Sequence, residues 1–158
     1  MKSQVRRGFT LVEVLIVVVV LGILASTVLP QFTSASSDAR EAALVQNLQI
    51  LRGQIQLYRM HHDDRLPAQG ETTETKLTDV LMKRTDVDGT VNATGGKYGP
   101  YIIALLPPNP FNNLRSVRVA TTDSAADGAT GWIYNSATGT IKANSVGNTP
   151  SGKAFTDL

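Results

Sequence analysis

"MKSQVRRGFTLVEVLIVVVVLGILASTVLP", residues 1–30, is the stretch on which the fold turns. From Phe9 to Leu29 it holds 21 residues with a single ionisable side chain, Glu13. At about 1.5 Å of rise per residue such a run covers the roughly 30 Å hydrocarbon thickness of a bilayer, so a membrane-spanning helix is expected over 9–30. Lys2, Arg6 and Arg7 precede the span and hold the N-terminus on the cytoplasmic side, which places everything after Pro30 across the membrane. A cleaved secretory signal is the competing reading, but the run is longer than a usual apolar signal core and "LASTVLP" offers no good A-x-A site.

Beyond Pro30 the apolar residues become periodic. Leu44, Leu48, Leu51, Ile55 and Tyr58 recur at helical spacing, with Arg40, Glu41, Gln46, Asn47, Arg52 and Arg59 on the polar side. Ala35, Ala39 and Ala42 extend the stripe back towards the membrane. Gly22 and Pro30 weaken the ladder without ending it, so one helix is expected from Phe9 to about His62, roughly 80 Å long and kinked near Pro30. "DDRLPAQGETTE" has turn composition, and "ETKLTDVLMKR" carries Leu77, Val80 and Leu81 at the spacing of a short helix. "DVDGTVNATGGKYG" reads as a loop, and "PYIIALLPPNPFN" as a short helical turn running into extended chain. "RSVRVAT", "GWIYN" and "GTIKAN" are strands, the last two forming a hairpin across "NSATG". The expected architecture is α+β, a long N-terminal helix with a membrane half and an amphipathic half packed on a small C-terminal antiparallel sheet. Its segments are 1–8, 9–30 and an extracytoplasmic domain 31–158, itself a helix over 31–62, loops over 63–115 and a sheet over 116–145.

Composition narrows the function. The formal charge of +2 is local: three of the fifteen basic residues lie in residues 1–8, and the remaining twelve face thirteen acidic ones, so no nucleic-acid surface is expected. The absence of cysteine excludes a disulfide framework, a thiolate metal site and a cysteine nucleophile. No G-x-S-x-G, Gly-rich phosphate loop or H-E-x-x-H occurs, so no catalytic site is expected. "HHDD", His61 to Asp64, suggests a metal cluster, but neighbouring residues on a helix point about 100° apart, and a polar helix terminus with His near the C-terminal dipole is the better reading. Trp132 and Tyr134 alternate with Ile133 as core and surface of a strand.

The residues "RRGFTLVEVLIVVVVLGILASTVLP" resemble the N-terminus of type IV pilin-like precursors, the pilins and the pseudopilins of type II secretion. In that family a basic leader ends in Gly, the mature chain opens with Phe and Glu is its fifth residue, matched here by Gly8, Phe9 and Glu13. The resemblance implies cleavage between Gly8 and Phe9 by prepilin peptidase, N-methylation of Phe9, and a role for Glu13 in subunit assembly. It further implies a homo-oligomeric filament extracted from the inner membrane by an assembly platform and a cytoplasmic ATPase, together with minor pseudopilins. "LQILRGQIQLYRMHHDDRLPA", "YGPYIIALLPPNPFN" and "GWIYNSATGTIKAN" look like the later segments of the major, G-type pseudopilin, and the lack of cysteine also points there. A type IV pilus subunit for adhesion, motility or DNA uptake stays open, and a signal-anchored extracytoplasmic enzyme or sensor is the reading from another class. The family's calcium site in a C-terminal loop draws attention to Asp123 and Asp127 in "TTDSAADGATG", with Ser124 and backbone carbonyls as further oxygens. Their spacing matches no D-x-D-x-D-G pattern, and an Asp/Gly-rich turn is the alternative; "DVDG" at Asp86 to Gly89 is weaker, with no Glu at the required place.

Overall fold

The protein is described by a computed structural model over residues 8–158, so the leader positions Lys2, Arg6 and Arg7 lie outside the described residues. Two compact units are present, Met1–Ser37 and Asp38–Leu158. Helix α1, Leu11–His61, contributes to both and runs without interruption through Gly22 and Pro30. Its most apolar window has a mean hydropathy of 2.8 and none of it is buried within the chain. The large apolar side chains described from Phe9 to Val28 are exposed, from 82% at Phe9 to 43% at Val28. Ser26 and Thr27 turn their hydroxyls back to the carbonyls of Ile23 and Leu24 at 2.7 and 3.0 Å, which satisfies them within an apolar surface.

In the second unit the helical stripe becomes the core. Leu44, Leu48, Leu51, Ile55 and Tyr58 are each at most 2% exposed. Ala35, Ala39 and Ala42 are exposed instead of extending the buried stripe. Helix α2, Glu74–Met82, adds Leu77, Val80 and Leu81. The helical turn expected in "PYIIALLPPNPFN" is absent from its described start, where residues 101–104 form a series of bends. The Tyr101 and Ile102 amides both donate to the Leu81 carbonyl at 2.9 Å, which takes them out of any local ladder.

Three strands follow, β1 Val117–Ala120, β2 Trp132–Asn135 and β3 Thr140–Ala143, in the order β1-β2-β3. β2 and β3 form the expected hairpin, but β1 pairs with β2 in parallel, so the sheet is mixed rather than antiparallel. The reason is the connection: residues 121–131 are too many for a tight hairpin and near the dozen that a parallel return requires. Val117, Trp132 and Ala143 align across one face, as do Val119, Tyr134 and Ile141, and all six join the core. Arg118, Ile133 and Lys142 align across the other. Ile133 is only 4% exposed, so β2 is covered on both faces, and the expected alternation of core and surface gives way to burial on both sides.

The core aromatics have polar anchors. Trp132 Nε1–H donates to the Pro107 carbonyl and the Tyr134 hydroxyl to the Pro67 carbonyl, both at 2.9 Å. Burial raises the Tyr134 hydroxyl far above its ordinary range and that of Tyr58 to about 12. The C-terminal segment returns to α1: Arg52 donates to the Leu158 carbonyl, Ser151 donates to the Glu41 carboxylate, and Phe155 of the 3₁₀ turn Phe155–Asp157 lies 4.4 Å from Phe111.

Candidate functional site

The N-terminal motif is built by the start of α1. Residues 8–10 are non-helical and exposed, so the Gly8–Phe9 peptide bond is open to a second protein, and a Cβ at Gly8 would meet nothing within 4 Å. Thr10 caps the helix. Its hydroxyl accepts the Glu13 amide at 3.2 Å and its carbonyl accepts the same amide at 3.1 Å, the acceptor half of a capping box in Thr10-x-x-Glu13. The cap fixes where the helix begins, and thereby sets Glu13 in its first turn, where a carboxylate also complements the helix dipole. Leu11, Val12, Val14 and Val17, each at least half exposed, surround that carboxylate with apolar surface.

His61 and His62 bring no metal site together, and no group of three or more His, Cys, Asp or Glu converges among the described residues. Instead of a solvated helix end, His62 is fully buried. Nδ1 lies 3.0 Å from the Val87 carbonyl, while Nε2 lies 3.0 Å from both the Tyr101 and the Thr85 hydroxyls. His61 stacks on Tyr98 with ring centroids 4.5 Å apart. Asp63 and Asp64 point outward, Asp64 pairing with Arg59. The "DVDG" segment is a tight loop, closed by the Gly89 amide on the Asp86 carbonyl at 2.9 Å and by Thr90 on the Asp88 carboxylate. Gly89 is required there: it has φ +86°, and a Cβ would sit 2.7 Å from the Tyr58 hydroxyl.

In the β1–β2 connection, Asp123 is fastened to the end of β2 and Asp127 to Asn144, just after β3. Asp123 accepts from the amide of Asn135, the last residue of that strand. Asp127 accepts from Asn144, whose own backbone amide bonds the carbonyl of Gly131, just before the strand begins. Asn135 and Gly131, the backbone partner of Asn144, are four residues, or about 13 Å, apart along extended chain.

Residues 4–29 match the prokaryotic N-terminal methylation motif. The type II secretion system core protein G of Aeromonas hydrophila is 32% identical over 113 residues, covering 72% of this chain and 73% of that protein. The chain belongs to the core protein G family. The Klebsiella pneumoniae core protein G is likewise 32% identical, over 110 residues, covering 70% of this chain and 72% of its own. A fimbrial protein of Neisseria meningitidis is 22% identical over 132 residues, covering 83% of this chain and 74% of its own. No solved structure matches the chain significantly. For this core protein G homologue, Gly8, Phe9 and Glu13 therefore fall within, and Pro30 just beyond, the matched segment. The motif's spacing exposes those positions to sequence reading. Thr10 as a cap is also legible from its spacing to Glu13, whereas Arg118 and Asn144, which organise the C-terminal loop, carry no local signal.

Proposed function

We infer that the chain is the precursor of a structural subunit of a type II secretion pseudopilus. The observation that carries this is an apolar first part of α1 left exposed by its own chain from Leu11 to Val28 and headed by "GFTLVE", in a relative of core protein G. Such a helix needs lipid or other helices around it. In this reading a single span anchors the precursor in the inner membrane with residues 1–8 cytoplasmic and the domain 31–158 outside. Prepilin peptidase cuts the open Gly8–Phe9 bond and Phe9 is N-methylated; the helices of many copies then bundle, assisted by minor pseudopilins and the inner-membrane assembly platform. The role is mechanical rather than enzymatic. A type IV pilus subunit is the second reading, favoured by the similarity to a fimbrial protein.

Glu13 is the discriminating residue. Near the bilayer centre an ionisable side chain costs on the order of 2.5–3.5 kcal/mol, and less towards the helix end. Cleavage creates a cationic amino group on Phe9, and a neighbouring copy's Glu13 can pair with it strongly in a low-dielectric bundle, which fixes axial register. Glu13→Val should therefore be inserted and cleaved normally, yet give few or no filaments, with processing read by immunoblot and assembly by sheared-filament yield. The mature N-terminus should be methylated Phe9 by intact mass, and a bulky residue at Gly8 should leave precursor in the membrane. Wild-type filament yields from Glu13→Val, or a mature N-terminus near Ala25, would sink the reading.

A further inference from the structure

The connection over residues 121–130 is where the family resemblance implies calcium, and its donor set is already committed. Calcium takes six to eight oxygens at 2.3–2.6 Å, with carboxylates at the centre of the set. Asp127 Oδ2 accepts from Arg118 Nη1 at 2.6 Å, and Oδ1 accepts from the Ala129 amide at 3.0 Å and from Asn144 Nδ2 at 2.8 Å. The Ala125 carbonyl, a natural backbone ligand in such a loop, accepts from Arg118 Nη2 at 2.6 Å. Asp123 is held at the far end of β2 by Asn135. A divalent ion placed on Asp127 would lie against the guanidinium and meet like charge, so the residues present do not fit the ion.

We propose that the Arg118 guanidinium is the built-in cation of this loop, bridging the Asp127 carboxylate and the Ala125 carbonyl so that the β1–β2 connection closes over the sheet without calcium. Register explains why this residue can do it. Arg118 projects from β1 on the face it shares with Ile133 and Lys142, the face opposite the core, and its two Nη atoms pull the loop down over that face. Ile133, an apolar residue on the same non-core face, is buried. Asparagines complete the fastening. Asn144 Oδ1 accepts the Asp127 and Gly128 amides at 2.8 and 3.1 Å, its Nδ2 also donates to Thr130 Oγ1 at 2.8 Å, and Asn112 donates to the Thr130 carbonyl at 2.8 Å. The fork geometry matters. A guanidinium reaches a carboxylate and a carbonyl at once from a fixed plane, which an ammonium on a flexible stem does not reproduce. The lowered carboxyl of Asp127, caused first by the Ala129 amide, then by Asn144 and Arg118, agrees with an acid held in its charged form by protein donors.

The inference rests on the loop alone and stands apart from the filament reading. Its test is a thermal melt of the full-length chain in detergent, with millimolar calcium and with EGTA, followed by amide exchange on wild type, Arg118→Ala and Arg118→Lys. The melting midpoint of the wild type should be the same in both buffers. In both variants the Asp127, Gly128 and Ala129 amides should lose protection by about tenfold or more, while those of Leu48 and Ile55 keep theirs. A calcium-dependent rise in the wild-type midpoint overturns the proposal, as does full loop protection in Arg118→Ala. If neither variant folds, the wild-type melt decides by itself.

Discussion

Replacing Gly131 by alanine should pry the sheet open where it begins. An added Cβ would lie 2.1 Å from the Leu114 carbonyl oxygen and 2.8 Å from its carbon, both backbone atoms with no rotamer to yield. The two segments must therefore separate by about 1.3 Å or more to reach ordinary contact. Four hydrogen bonds hang on that approach. The Gly131 and Trp132 amides donate to the Ser116 carbonyl at 2.9 and 3.1 Å, and the Gly131 carbonyl accepts from Asn109 Nδ2 and the Asn144 amide at 2.8 and 3.0 Å. At a net value near 1 kcal/mol each, losing half to all of them costs about 2–4 kcal/mol, and residual overpacking adds about 1 kcal/mol or more. Against a domain stability of roughly 5–15 kcal/mol this is a large fraction. For a domain of this size the melting midpoint should fall by roughly 10 °C or more, read by circular dichroism on the full-length chain in detergent. A midpoint within about 2 °C of wild type would refute the close approach of residues 114 and 131 and the parallel pairing built on it.

Gly53→Ala should do the opposite: it lies exposed in α1 with nothing within 4 Å of a built Cβ, so the helix gains about 0.5–1 kcal/mol and the same melt should move up by a few degrees. Acid should loosen two fastenings together, because Asp127 is held below its ordinary 3.8 by Ala129, Asn144 and Arg118, and Glu41 below its ordinary 4.5 chiefly by the Ser151 hydroxyl. A depressed folded-state value means the stabilisation is complete above the unfolded value and is lost as pH falls through the folded one, so protection of loop 121–130 and of the tail around Ser151 should hold down to about pH 4.5 and fall below it. Amide exchange across that range checks this, and a loop that opens between about pH 7 and pH 5 contradicts it.

The helices and the hairpin were legible because their signals are local. Leu44 to Tyr58 carry a 3.6-residue period, and Trp132–Asn135 and Thr140–Ala143 are β-rich runs across a short turn. The orientation of β1 was not, since composition cannot tell an 11-residue turn-rich connection that reverses from one that returns. The burial of His62 was equally hidden, as its partners Thr85, Val87 and Tyr101 arrive from 23 to 39 residues away. At the candidate site the same division holds. Gly8, Phe9 and Glu13 sit in one short motif, whereas Arg118, Asp127 and Asn144 meet only after the sheet has formed.

That division sharpens what Glu13 is for. Fully burying a Val, Leu or Ile side chain is worth about 1.5–3 kcal/mol, and α1 leaves its whole run from Leu11 to Leu24 exposed by its own chain. Lipid can supply that burial, and so can a bundle of identical helices. Because acyl chains and apolar side chains are equally greasy, exchanging one for the other yields little net hydrophobic free energy, and the apolar run cannot by itself decide when a subunit leaves the membrane. Packing among Val17, Val18, Val19 and Val20 can set shape, but shape alone is weakly directional along a smooth helix. On the pseudopilus reading, Glu13 would be the group within that run whose environment changes between the two states: without a fixed partner in lipid, and beside the amino group of a neighbour in a bundle. On that reading a carboxylate there would cost stability in the monomer and return it only in the filament, which would put the bias towards assembly and the choice of register in the same side chain.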